Sequence, residues 1–178
     1  MSKSAMSKTV KTISRFIITG IIAVIVVGTF SLGAAFAQDY VGAQRTVLST
    51  GARALVDSCL AYASENNLKV GVAVVDPYGN LLDYHTMEGT NVIAGESAIL
   101  KAKTSVRWWR STEELNQRVE NWDNVAPVWA GDFPQRGGVP IVMDGIVIGA
   151  MGIGGGGGDA CATQAIETVL GASTVLPR

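Results

Sequence analysis

Apolar residues recur at three- and four-residue spacing between residues 42 and 66 (Leu48, Ala52, Leu55, Val56, Cys59, Leu60 and Ala63). This predicts an amphipathic helix ended by Asn66-Asn67. The period then shortens. Lys69 to Asp76, with Val70, Val72, Val74 and Val75, reads as a strand, and Leu81 to Met87 as its hairpin partner across the turn Asp76-Pro77-Tyr78-Gly79-Asn80. A second helix is predicted from about Gly95 to Trp109. A third, ending near Asn121, is capped by Ser111 or Thr112, with Glu114 placed for a capping box. Residues 122–138 carry neither period and read as irregular. Val139 to Met143 and Ile146 to Ile153 form a second hairpin about Asp144-Gly145, and Asp159 caps a last helix, 160–170, stopped by Gly171. The order helix, hairpin, two helices, hairpin, helix predicts an α+β sandwich: a small antiparallel sheet covered by helices. No parallel crossover pattern appears, which disfavours a dinucleotide-binding fold, and nothing repeats beyond the two hairpins.

The segment ahead of the first helix follows a different rule. Lys3, Lys8, Lys11 and Arg15 precede a charge-free stretch from Phe16 to Ala37 that closes on Ala35-Phe36-Ala37. A basic start, an apolar middle and small residues before a cut resemble a secretory signal, with cleavage expected before Gln38. Residues 1–37 are then the signal and 38–178 the functional domain. An uncleaved anchor is the alternative, since 22 charge-free residues could just span a bilayer. Both readings place the domain outside the cytoplasm, in the periplasm or beyond the cell.

Composition narrows the classes. With 48% hydrophobic and 16% charged residues, the chain is too apolar to be disordered. Fourteen basic against 15 acidic residues give no excess positive charge for nucleic acid. Loss of the four basic residues with the signal leaves five net negative charges, which phosphate backbones and anionic membranes repel. Membrane contact is therefore expected only through the N-terminal segment. One histidine cannot build a multi-histidine metal cage, and two cysteines cannot build a disulfide framework. Cys59 and Cys161 fall on apolar faces of predicted helices, as buried thiols or, in an oxidising compartment, as a bridge.

Several residues could carry chemistry. Eleven of the 21 glycines lie between Gly131 and Gly158, which requires sharp turns or backbone close to another surface. The run Gly154 to Gly158 opens a helix N-terminus that could favour an anion or serve as a plain connector. Without a Gly-Lys-Ser/Thr ending it is not a phosphate loop. Trp108, Trp109, Trp122 and Trp129 lie within 22 residues, with Phe133 close behind and Arg107, Arg110, Arg118 and Arg136 interspersed. That mixture suits a flat, anionic, partly apolar ligand, and equally a subunit interface. His85, with Met87 nearby, is the conspicuous soft-donor pair for iron. Ser97, Lys101 and Thr104 share one face as a polar stripe on a helix that should be half buried. Lys101 is a candidate for carboxylate binding or catalysis, with Glu88 and Glu96 as partners.

Taken together the residues resemble the GlcG/HbpS family of haem-binding-like proteins. The match runs from Val70-Gly71-Val72-Ala73-Val74-Val75-Asp76 and Tyr78-Gly79-Asn80-Leu81-Leu82, through Met87-Glu88-Gly89, Ser97 and Lys101-Ala102-Lys103-Thr104, to Ser111-Thr112-Glu113-Glu114-Leu115. It ends with Gly137-Gly138-Val139-Pro140-Ile141, Asp144-Gly145, Ile148-Gly149-Ala150-Met151-Gly152-Ile153 and Asp159, in order across nearly the whole mature chain. Ser111 stands where the family commonly has proline, and the glycine run replaces a Ser-Gly-Ala-containing stretch. The resemblance implies a profilin-like α/β/α sandwich, a homo-oligomer, and a pocket near Met87, Glu88, Lys101, Thr104, Arg136, Gly137 and Gly138. Its members include haem binders, a secreted group that acts beside a redox-sensing histidine kinase, and domains fused to a cobalamin adenosyltransferase. Two functions follow as expectations. One is an exported binding protein for haem or a related planar anionic small molecule, held by Met87, Thr104, Arg107, Trp108, Phe133, Arg136, Gly137 and Gly138, with His85 on the iron. The other is a cofactor-free lyase- or isomerase-type enzyme on a small carboxylic or aromatic acid. There Lys101 or Arg136 would hold the carboxylate, and His85 or Glu88 would exchange a proton.

Overall fold

The computed structural model describes residues 43–177. The signal or anchor segment and its cleavage point lie outside the described residues. Among the described residues no helix is long and apolar enough to cross a membrane. Four strands, β1 (Val70–Val75), β2 (Leu81–Thr86), β3 (Gly138–Met143) and β4 (Ile146–Gly155), form one antiparallel sheet in the order β2-β1-β4-β3. Helices α1 (Ser49–Glu65) and α5 (Ala160–Leu170) cover one face. The other face carries α2 (Val92–Trp108), followed by α3 (Thr112–Glu120) and the single turn α4 (Ala126–Trp129).

The two faces are built differently. On the α1/α5 face Val70, Val72, Val74, Met151 and Ile153 project into a core with Leu55, Val56 and Ile166. On the α2 face the strands present Gly71, Ala73, Ala150, Gly152 and Gly154, and α2 answers with Ala94, Ala98 and Ala102. Small residues on both sides bring helix and sheet backbones together. A Cβ added at Gly152 would overlap the Ala98 carbonyl and lie 2.6 Å from the Ala102 nitrogen. The glycine clustering in the sequence thus marks close backbone approach, as its second reading required.

Several boundaries differ from the sequence reading. α1 starts at Ser49, not near residue 42. The preceding segment is pinned to the sheet instead: the Val47 amide donates to the Ile148 carbonyl (3.0 Å) and Arg45 pairs with Asp144. α2 starts at Val92, ahead of Gly95, because the Asn91 side chain accepts from the Ala94 amide (2.9 Å) and supplies the cap. Ser111 caps α3 and accepts from the Glu114 amide (3.1 Å). The irregular span 122–138 contains the turn α4. β4 runs on to Gly155, so the glycine run is partly strand, and Gly156 and Gly157 lie against Leu68. Asp159 occupies the N-cap position of α5 but its side chain makes no capping bond. Cys59 and Cys161 are not free thiols: they form a disulfide, with Cα atoms 5.0 Å apart, that ties α1 to α5.

The sheet's two edges also differ. On β3, the Gly138 amide donates to the Thr112 hydroxyl (2.7 Å) and Pro140 has no amide. Val142 exchanges two backbone bonds of 2.8 Å with Ser173 in the C-terminal segment. β2, at the other edge, has no further strand beside it among the described residues.

Candidate functional site

Strand directions gather one rim of the molecule. β1 and β3 begin, and β2 and β4 end, at the same end of the sheet. That rim holds Met87, Glu88, Arg136, Gly137 and Asp159. Met87 follows β2 and Gly138 opens β3 at opposite edges of the sheet, so at least three strand spacings, roughly 14 Å, separate them. Met87 packs into the α1/α5 core.

At the β3 side of this rim lies a polar knot. Lys101 is nine-tenths buried on α2, and its Nζ donates to the Ile153 carbonyl (3.0 Å). Gly137 and Gly138 close over it. A Cβ at Gly137 would stand 3.3 Å from Nζ, and one at Gly138 would stand 2.6 Å from the Thr112 methyl. Asp159 faces the same place. Burial raises its carboxyl above the ordinary carboxylate range, with Glu113 adding to the rise against the Gly137 amide, Arg136 and Lys101. Burial lowers the Lys101 ammonium, and the Asp159 charge restores part of the fall. One Asp159 oxygen, Oδ1, is buried with no hydrogen-bond partner.

Residues expected to grip a ligand mostly anchor the loop that leads into β3. Arg107 Nη1 and the Trp108 indole N–H both donate to Asp132, at 2.8 and 2.7 Å. The Phe133 amide donates to the Thr104 hydroxyl (2.9 Å), and Arg136 pairs with Glu113. Asp132 is the residue that sequence reasoning missed here. Its signal was an acid inside an Arg/Trp-rich segment.

A cavity of about 500 Å³ opens beside this loop against the outer edge of β3. Trp108, Trp109 and Arg110 from the end of α2, with Ser111 and Glu114 from α3, form one wall. Val139 and Pro140 form the back, and Asp159 and Thr163 of α5 lie across from α3. Thr174, Val175, Leu176 and Pro177 close it. Trp109 is 64% exposed and takes a left-handed backbone (φ 54°). Arg110 is paired with Glu114 at 2.7 Å. Of the expected ligand contacts, only Trp108 lines this cavity. The C-terminal wall carries no signal in the pattern of residues 174–177.

His85 is placed elsewhere. On β2 the Tyr84 and Thr86 side chains reach Gly95 of α2, while Asp83 pairs with Arg53 of α1 (2.9 Å). Alternation puts His85 on the α1 face, exposed, across the sheet from Lys101. Glu88 is exposed in the turn after β2. Within one chain the structure therefore does not bring His85 to Lys101 or to the cavity. Trp122 and Trp129, 83% and 86% exposed, also lie away from it. Among the described residues no group of three or more His, Cys, Asp or Glu could hold a metal ion.

The family model for "Haem degrading protein HbpS-like" matches residues 48–169. The chain belongs to the HbpS-like family. Protein GlcG of Escherichia coli K12 is 34% identical over 105 residues, covering 57% of this chain and 76% of GlcG. A double mutant of Streptomyces reticuli HbpS superposes with a TM-score of 0.66 at 25% identity, over 74% of this chain and 91% of that one. A PduOC–heme complex superposes with a TM-score of 0.65 at 23% identity, over 72% and 98%, and speaks to the fold alone. The family's fold is thus this α+β arrangement of a four-stranded antiparallel sheet between helices.

Proposed function

We propose that this protein is an exported binder of haem or a related planar ligand, taken up in the cavity at the β3 edge. One observation carries the reading. In a member of a haem-handling family, Trp108 and Trp109 line a cavity of about 500 Å³ together with Pro140, Leu176 and Pro177, an aromatic and apolar lining suited to a flat conjugated ring. The lining fits the ring better than the metal, for it contains no His, Met or Cys to ligate iron. Trp108, held by Asp132, and Trp109 would grip the ring faces. Export is supported by the Cys59–Cys161 disulfide, which persists in oxidising compartments. The exposed indoles of Trp122 and Trp129 support a homo-oligomer, which light scattering tests.

Hemin titration is the test of binding. A saturable shift of the Soret band with quenching of tryptophan emission is expected. Trp109→Ala should weaken it about tenfold, the order of a lost aromatic contact, and His85→Ala should leave it unchanged. Absence of saturable binding overturns the reading.

A second reading, cofactor-free proton transfer on a small acid, is favoured by the buried Lys101 amine beside Asp159. Deuterium wash-in from D₂O into small hydroxy and aromatic acids, lost in Lys101→Met, would support it. Equal wash-in by that variant would refute it.

A further inference from the structure

One side of α2 is packed on the sheet and the other is uncovered. Ala94, Ala98, Lys101 and Ala102 face the strands. Ile93, Glu96, Leu100, Lys103 and Arg107 are exposed and return at alternating spacings of three and four, which aligns them as a straight stripe along the helix. The stripe is apolar at its start and centre: Val92 is 77%, Ile93 57% and Leu100 44% exposed. Two of its charges have no partner in the molecule. Six arginines are in ion pairs, yet neither Glu96 nor Lys103 has an ion pair or a side-chain hydrogen bond among the described residues. Their separation of seven residues places them about 10 Å apart along the axis, too far to pair with each other.

Each of these charges fits the other on a second copy of the same helix. When two copies run antiparallel about a two-fold axis beside Leu100, Glu96 of either copy comes opposite Lys103 of the other, because the two positions lie almost equally far on either side of the axis. Leu100 meets Leu100 at the centre. Val92 and Ile93 reach the aliphatic stem of Arg107, whose guanidinium is held by Asp132 at 2.8 Å. A parallel pair would set Glu96 on Glu96 and Lys103 on Lys103, so the charges also fix the direction. We propose that the outer face of α2 is a self-association surface, on which two copies of this chain pair antiparallel through Leu100 and reciprocal Glu96–Lys103 contacts. This rests on the homo-oligomer reading and deepens it, through residues other than the exposed Trp122 and Trp129.

Charge exchange tests the pairing. Glu96→Lys leaves only positive charge at the two positions and Lys103→Glu only negative, so each variant meets itself with repulsion at both contacts. In sedimentation equilibrium each alone should dimerise about tenfold or more weakly than wild type, the scale of a like-charge contact. An equimolar mixture of the two should form heterodimers at the wild-type affinity, since every contact is again between opposite charges, and the double variant Glu96→Lys/Lys103→Glu should do the same. Leu100→Glu should abolish pairing by setting like charges on the axis. All these positions are exposed and the new residues are good helix formers, so each variant should fold, which circular dichroism establishes. Single variants that dimerise as tightly as wild type, or a mixture that gains nothing over its components, overturn the α2 surface and leave an oligomer built through other residues standing. A wild-type protein that is monomeric throughout removes both.

Discussion

Adding one methyl group should have opposite effects at two glycines. At Gly152 the new Cβ would overlap the Ala98 carbonyl and lie 2.6 Å from the Ala102 nitrogen, both on the backbone of α2. Comfortable separation is roughly 3.5 Å, so α2 must retreat by roughly 1.5 Å along its contact with β4, the Ala98 carbonyl setting the distance. No flexible side chain can yield instead. Overpacking of a rigid interior costs about 1–3 kcal/mol, and two backbone collisions place Gly152→Ala at the top of that range, about 3 kcal/mol. For a domain of this size that corresponds to a fall in Tm of about 10 °C. At Gly51, in α1, the added Cβ would meet only Val47 at 3.6 Å and Leu170 at 3.8 Å, ordinary contacts. Gly51→Ala should therefore gain about 0.5 kcal/mol from helix propensity and raise Tm by about 2 °C. Thermal melts and urea titrations of both variants decide the matter. A Gly152→Ala protein that melts within about 2 °C of wild type would show that the glycine does not set the helix–sheet spacing. The retreat also moves Trp108 and Trp109 at the end of α2, so ligand binding should weaken in the same variant.

Three other perturbations test separate parts of the structure. The Cys59–Cys161 bridge closes a loop of 102 residues, so the Cys59→Ala/Cys161→Ala protein should lose up to about 4.7 kcal/mol in denaturant titrations, with reductant reproducing the loss in wild type. Thr112→Val removes the acceptor of the buried Gly138 amide and should destabilise by about 1–3 kcal/mol, with faster hydrogen exchange at residues 133–138. Asp159, its carboxyl raised above the ordinary 3.8 chiefly by burial, favours folding at low pH and loses that contribution as pH rises through the raised value. Asp159→Asn should thus be more stable than wild type at neutral pH, and the advantage should disappear as pH falls towards 3.8. A constant difference across that range would contradict the burial argument.

The order of elements was legible because two periods and a few capping residues dictate it locally. Ser111 with Glu114, and Gly171 after the last helix, identify their ends within a few residues of sequence. Ser97, Lys101 and Thr104 were legible as a polar stripe on a half-buried helix for the same reason, and the structure buries all three. The site was less legible, because its parts meet only through tertiary structure. Nothing near Asp132 in sequence says that it joins Arg107 to Trp108, and nothing near Thr174 to Pro177 says that they wall a cavity beside α3. His85 shows the converse. It stands out in the sequence for its chemistry, but strand parity assigns it to the face away from Lys101, and parity depends on which neighbour buries which face. The cysteines needed the distance between α1 and α5, which no spacing along the chain supplies.

The unequal edges of the sheet restrict how molecules could join through their backbones. Among the described residues β3 is closed by Thr112, Pro140 and Ser173, which leaves β2 as the margin open to a foreign strand. Two molecules could merge their sheets across a two-fold axis at β2, giving eight continuous strands with both outer margins sealed. Growth would stop there, so in such a dimer edge addition could not continue into fibrils while the C-terminal segment stays in place.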